Sequence, residues 1–495
     1  MNLDLLLDMA ADGFGERVVT GRRAAGLTAA ELRRLAACGA RELLDSDADS
    51  VVYLATNGPA LPVALFAAAL AGVPLVPVNY RLGEEQLDRL LGNHPGAFGI
   101  AGTPQEAAAL ARAGITSRTP DDWLCELADG TELAVVGETG AAAVIIYTSG
   151  TTSEPKGVLL HHHNLVSYVL SAVEFGAAGP DDAALVSVPP YHIAAVANVI
   201  TNLYAGRRTI VLEQFTPVQW LQLVQEEGVT HALVVPTMLA RIVDGLDGHQ
   251  LPSLRTLAYG GAPMPARVIE KAMRSLPHVD FVNAYGLTET SSTISVLGPD
   301  DHREAVASSD PAVRARLSSA GRVVPAIELE IRGPSDELLP AGVVGRIWVR
   351  GAQVSAEYAG TGPRLDERGF FDTRDEGYLD ADGYLFIGGR ADDTIIRGGE
   401  NVAPAEIEDV LLRHEAVADA VVVGIPDEEW GQRIEAAVVL RTGVSEAELR
   451  DHVRAALRGS KTPDRVVFWD ALPRTETGKL VRRQAAERLR AELWV

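Results

Sequence analysis

Short apolar runs rich in β-branched residues recur through the first 285 positions, and stretches with helical spacing separate them. Residues 51–55 (VVYLA) lead through a turn into 59–72 (PALPVALFAAALAG), and 73–78 (VPLVPV) follow, a strand–helix–strand unit. The pattern predicts further strands at 141–147 (AAAVIIY), 208–213, 230–235, 254–259 and 279–285, with helices between them. One of those helices is marked by Thr216 as N-cap and Pro217 in its first turn. Alternation of this kind predicts parallel sheets covered on both faces by helices. After about residue 315 the runs AIELEIRG, GRIWVRG and GYLFIGG, broken by Gly, Pro and Asp, predict a small β-rich module. From 392 onward comes a second mixed pattern: a helix at 404–414, strands at 420–425 and 435–440, a helix at 445–458 and a strand at 465–469. The expected fold class is therefore α/β, with a large domain over 1–391 and a small α+β domain over 392–495.

Composition narrows the classes of function. At 47% hydrophobic and 22% charged, the 495 residues have the make-up of a soluble globular protein. The start, MNLDLLLDMAADGFGER, carries acids where a secretion signal would carry cations, and no apolar run is long enough for a membrane span. Cys38 and Cys125 suit a reducing compartment, and the expectation is a cytoplasmic protein. A net charge of −23 argues against a nucleic-acid partner and requires a local source of cations for any anionic substrate. One lies between Arg458 and Arg490, where nine Lys or Arg stand against four acids. Taken alone, it reads as a tail helix with a basic solvated face.

The stretch YTSGTTSEPKGV, residues 147–158, places Thr148, Ser149, Thr151 and Thr152 around Gly150, with Lys156 close behind. By itself it reads either as a surface turn or as a phosphate loop. It follows the most apolar strand, so its tip is expected at the carboxyl end of a parallel sheet, ahead of a helix at 161–173. Hydroxyls and backbone N–H groups there can surround phosphate oxygens, and Lys156 adds charge. It is not a Walker loop: Pro155 replaces the second glycine, and Gly157 stands where Ser or Thr would hold magnesium. The triplet His161-His162-His163 reads as structural, because successive helical residues diverge by about 100° and cannot converge on one metal.

This stretch resembles the signature phosphate loop of the adenylate-forming superfamily, which includes acyl-CoA synthetases, peptide-synthetase adenylation domains and luciferases. Ser153 stands where glycine is usual. Further motifs follow in the family's order: YGGAPMP (259–265), NAYGLTET (283–290), TRDEGYLDADGYL (373–385), GRADDTIIRGGENVAPAEIE (389–408) and PRTETGKLVRR (473–483). Arg374 replaces a usual glycine in the third of these. The resemblance covers nearly the whole chain.

The resemblance implies ATP, Mg²⁺ and coenzyme A as cofactors, and a small-molecule carboxylic acid as substrate. A carboxylate is a poor acyl donor, whereas an acyl-adenylate leaves AMP. Catalysis then consists of positioning and charge neutralisation. By resemblance, Tyr285 beside Gly286 lies against the adenine, with the backbone of Gly261, Ala262 and Pro263 on the other side. Thr288 contacts the α-phosphate and Glu289 holds Mg²⁺. Asp375 accepts the ribose hydroxyls, assisted by Arg390. Lys479 is the adenylation lysine, on a mobile C-terminal domain that swings about Asp392 between two half-reactions. Gly398, Gly399, Trp430 and Lys461 are implied on the thiol-acceptor side.

Residues 189–200 (PPYHIAAVANVI) match the segment lining the acyl pocket, with His192 as a gate and Ala194, Ala195 and Ala197 leaving space. No aspartate lies there to pair an α-amino group, so the expected acid is bulky, apolar and not an amino acid. The expected enzyme is an AMP-forming acid–CoA ligase. Two readings stand beside it: a ligase loading the pantetheine of a carrier protein, and a non-catalytic nucleotide sensor. A monomer and a homodimer are equally compatible with the sequence.

Overall fold

The computed structural model describes residues 1–130, 142–148, 155–397, 400–427, 430–457, 459–475, 478 and 480–492. The large domain is built on two sheets. One has nine strands, in the spatial order Arg322–Val323, Ser292–Leu297, Asp280–Leu287, Thr256–Gly260, His231–Val234, Ala183–Val186, Arg208–Val211, Val18–Thr20 and Leu27–Thr28. From Asp280–Leu287 across to Val18–Thr20 every neighbouring pair is parallel, so the carboxyl ends of these strands share one edge. The other sheet, of eight strands, has a parallel core of Leu75–Pro77, Ser50–Leu54 and Ala97–Ala101.

Local chemistry sets the helix ends that feed this edge. Thr28 and Glu31 form a reciprocal capping box at the start of Ala29–Asp45. Thr216 accepts from the Gln219 N–H ahead of Pro217, as the sequence predicts. The helix Ala60–Ala71 is apolar on every side and all but Leu70 of it is buried, which places it at the centre of the first core.

The helix expected at 161–173 is present as His162–Ala172; ahead of it, Lys156–His161 forms a strand not anticipated from the sequence, which pairs antiparallel with Ala142–Thr148. Val158 and Leu160 face the buried side in alternation, which is strand periodicity. The helix begins only at His162, with His161 as its N-cap residue. Residues 149–154 therefore join the two arms of a hairpin, and their own structure lies outside the described residues.

The β-rich module appears as a four-stranded sheet, Glu328–Arg332, Gly345–Arg350, Phe371–Leu379 and Leu385–Arg390, antiparallel throughout. The C-terminal region folds around Val417–Asp427, Gly431–Leu440 and Arg465–Phe468. Helices Pro404–Arg413 and Glu446–Ala456 cover one face of this sheet and Arg482–Ala491 the other, each with its own apolar cluster. The basic tract is only partly a solvated face: Arg482 pairs with Glu408, and Arg474 lies 2.6 Å from Asp419. Among the described residues no helix is long and apolar enough to cross a membrane.

Candidate active site

Three strand ends of the nine-stranded sheet build the site. Asp280–Leu287 carries Tyr285 and then bulges at Gly286, where any Cβ would lie 1.7 Å from the Ser292 carbonyl oxygen. Glycine is required there by the close approach of the two strands. The neighbouring strand ends at Gly260, where a Cβ would lie 2.3 Å from the Ala284 carbonyl oxygen, and Gly261 turns the chain at φ +80° into Ala262 and Pro263. The expected adenine loop and Tyr285 thus occupy adjacent strand ends.

The β-rich module contributes the acid. Asp375 and Arg390 are cross-strand partners in its antiparallel sheet, and their side chains pair at 2.9 Å. Arg390 also donates to the Thr373 carbonyl at 3.0 Å. The Tyr285 hydroxyl donates to the other Asp375 oxygen at 2.6 Å. Burial first, and the Asp375 carboxylate second, hold the Tyr285 hydroxyl protonated well above its ordinary range. The buried carboxylate is thereby fixed from two sides before any ligand arrives.

Thr288 and Glu289 sit on the 3₁₀ turn that follows the same strand. Ser291 and Ser292 leave that turn at φ +54° and +110°, unusual values for residues with a side chain. Gln353 braces the turn by donating to the carbonyls of Thr290 and Thr293 at 3.0 and 2.9 Å. One Glu289 oxygen accepts from the Tyr358 hydroxyl at 2.8 Å. Among the described residues no cluster of three His, Cys, Asp or Glu could cage a metal. A lone carboxylate next to a nucleotide-facing edge fits Mg²⁺, which binds through one or two carboxylates and substrate phosphates.

Thr148 and Lys156 face each other across the hairpin, while Ser149, Gly150, Thr151 and Thr152 fall outside the described residues. The strand Glu357–Tyr358 pairs with the second hairpin arm, opposite Leu159 and Val158, and so ties the phosphate loop's stem to Glu289. The histidine triplet is structural. His161 lies 2.8 Å from Glu357, and His162 accepts the Leu3 N–H, with burial lowering its pKa to about 4.

The expected acyl segment divides. His192 stands at the N-cap of Ile193–Ala205, its ring 4.8 Å from Tyr191, and Ala194 is partly buried. Ala195 lies with Val186 and Val188 and lines a cavity shared with Asn57, Leu61 and Val199, whereas Ala197 lies inside the first core with Val196 and Ile200.

Asp392 occupies a short 3₁₀ turn, Ala391–Asp393, between two anchored neighbours. Arg390 is pinned to the large domain through Asp375, and Asp393 lies 3.4 Å from Arg482 of the small domain. Asp392 itself meets Arg374 at 3.9 Å, and Arg374 adopts φ +60° in place of the usual glycine. Lys479, Gly398 and Gly399 fall outside the described residues. Gly478 does not: a Cβ added to it would lie 2.5 Å from Thr237 Oγ1, at the start of the helix that follows strand His231–Val234. Gly478 thus lies against Thr237. Trp430 and Lys461 make their contacts within the small domain, under the Arg397 guanidinium and at 2.6 Å from Glu406 respectively.

Several parts of this arrangement carry no signal along the chain: Tyr358, Gln353, and the interdomain bonds Thr394 to Glu376 and Arg267 to the Ala418 carbonyl. Each depends on a long-range contact between segments without a recognisable spacing.

The family model of the AMP-binding enzyme matches residues 7–359, and that of the AMP-binding enzyme C-terminal domain matches 406–479. The chain belongs to the AMP-binding enzyme family. A feruloyl-CoA synthase from Amycolatopsis sp is 37% identical over 479 residues, 93% of this chain and 94% of that relative. A fatty acid–[acyl-carrier-protein] ligase from Streptomyces coeruleorubidus is 32% identical over 460 residues, covering 89% and 86% of the two chains. The o-succinylbenzoate CoA synthetase of Bacillus subtilis, solved with ATP and magnesium ion, superposes with a TM-score of 0.83 at 29% identity, over 97% of this chain and 98% of that one. Family, fold and enzyme class are those expected from the motifs: an AMP-forming ligase built like the acyl-CoA synthetases.

Proposed function

We propose that this AMP-binding enzyme is an acid–CoA ligase that works in two half-reactions. In the first, a carboxylate oxygen attacks the α-phosphate of ATP, and pyrophosphate leaves. In the second, the thiol of coenzyme A attacks the acyl carbonyl, its proton is lost, and AMP leaves. What supports this most is the fixed Tyr285–Asp375–Arg390 cluster, with Gly478 held against Thr237 of the large domain. Asp375 receives the ribose hydroxyls while Tyr285, Gly286 and the backbone of Gly261, Ala262 and Pro263 flank the adenine. Thr148, Ser149, Gly150, Thr151, Thr152 and Lys156 hold the phosphates. Mg²⁺, held by Glu289, supplies charge neutralisation on phosphate oxygens. Thr288 and Lys479 meet the charge that develops at the α-phosphate.

The division falls at Asp392, giving an adenylating domain over 1–391 and a mobile domain over 392–495. Rotation there would bring Gly398, Gly399, Trp430 and Lys461 to the acceptor thiol. The acid is apolar and lacks an α-amino group, entering past His192 and Ala194; no aspartate stands between 189 and 200. The chain acts in the cytoplasm. Acid-dependent pyrophosphate release, screened over aryl, terpenoid and fatty acids with CoA as acceptor, tests the reading. Thioester and AMP in equal amounts support it. Adenylate that reacts only with a carrier-protein pantetheine, the acceptor of the Streptomyces relative, would replace CoA. No pyrophosphate with any acid would leave a nucleotide sensor.

A further inference from the structure

The side chain of Glu289 is held by a residue outside every motif. Segment 355–358 straps across it: the N–H groups of Ser355 and Ala356 donate to the Glu289 carbonyl at 2.9 and 3.2 Å, and the Tyr358 hydroxyl donates to Oε1 at 2.8 Å. The strap ends in the strand Glu357–Tyr358, paired through Tyr358 with Val158 on the hairpin arm that begins at Lys156. Carboxylate, tyrosine and phosphate-loop stem are therefore one mechanical unit. The turn beneath needs such a brace, because two successive non-glycine residues, Ser291 and Ser292, occupy positive φ. Arg364 covers the ring face at 5.5 Å, leaving the hydroxyl edge to Glu289.

We propose that Tyr358 is a positioning residue for the metal: its hydroxyl occupies Glu289 Oε1 and turns Oε2 towards the Mg²⁺ that arrives with ATP. This deepens the ligase reading and rests on its assignment of Glu289. Hydrogen-bond partners of metal-binding carboxylates set ligand orientation, and their loss typically costs tenfold or more in metal affinity.

Tyr358→Phe keeps the ring, the strand and the Arg364 contact while removing one hydroxyl. Mn²⁺ binding to the enzyme with a non-hydrolysable ATP analogue, followed by electron paramagnetic resonance, is compared in wild type, Tyr358→Phe and Glu289→Gln. The expected result is a weakening of roughly tenfold in Tyr358→Phe, with AMP affinity and melting temperature unchanged. Unchanged Mn²⁺ affinity in Tyr358→Phe, with weakened affinity in Glu289→Gln, would overturn the role of Tyr358 alone. An equal loss of AMP and metal binding in Tyr358→Phe would also overturn it, as the mark of a structural residue. Unchanged Mn²⁺ affinity in Glu289→Gln would remove the metal assignment on which the proposal rests.

Discussion

Two ion pairs lie side by side where the β-rich module meets the small domain, and they are built differently. Asp375–Arg390 spans 2.9 Å within a paired sheet; the Arg390 side chain is 49% exposed, but the Asp375 side chain is only 9% exposed and its second oxygen is taken by Tyr285. Arg374–Asp392 spans 3.9 Å, with side chains 47% and 44% exposed. A hydrogen bond to a buried carboxylate is worth about 1.5–3 kcal/mol, whereas exposed pairs are worth about 0–1 kcal/mol. On the proposed function the first pair would be a preorganised ligand site and the second a contact weak enough to break in each cycle, so that adjacent residues in the chain would serve opposite demands, one rigidity and the other release.

The largest effect is expected at the rigid pair. Asp375→Ala should lower kcat/KM for ATP on the order of 10²–10³-fold, since it removes a buried charge partner as well as a ribose acceptor. Pyrophosphate exchange together with AMP binding measures it, and a loss below about fivefold would place the ribose elsewhere. Tyr285→Phe should cost about tenfold, the worth of one hydrogen bond to a charged group. If it matched Asp375→Ala, the tyrosine would hold more than the carboxylate.

Acid should loosen the large domain before it disturbs the hinge. Burial depresses both His162 and His231 to about 4. Below the ordinary histidine pKa of about 6.5 the unfolded chain takes up protons that the folded domain refuses, so stability falls as pH drops from there towards 4. The slope approaches about 1.4 kcal/mol per pH unit for each histidine, and His162→Gln should flatten it in melting curves. An unchanged slope would assign acid sensitivity to other groups.

The smallest effect belongs to the loose pair. Arg374→Gly relieves a left-handed residue and removes an exposed contact, changes of about 1 kcal/mol or less that oppose each other in stability. Its signature is partition: adenylation should slow a few-fold while thioester formation from preformed adenylate quickens a few-fold, about what such an energy permits. Changes of the same sign in both steps would mean that the pair does not act on the hinge.

Much of this contrast was legible in the chain. Short apolar runs rich in β-branched residues marked the parallel strands that align Tyr285 with the Gly261 turn, and the motif order marked the family. The hairpin arm Lys156–His161 escaped because GVLLH is a continuous apolar run whose alternation shows only once its partner is known. Arg374 was visible as a departure from the family, but its φ of +60° and its reach to Asp392 are properties of the folded backbone. Tyr358 meets Glu289 across 69 residues, a separation that leaves no periodic trace.

The central claim is that one chain performs two half-reactions by turning about Asp392, with Lys479 serving only the first. The direct test gives Lys479→Ala ready-made acyl-adenylate and CoA and follows a single turnover, alongside adenylation from ATP and acid. Adenylation should fall on the order of 10²-fold or more, the scale of losing one preorganised charge donor, while thioester forms at close to the wild-type rate. Equal slowing of both steps would contradict the account.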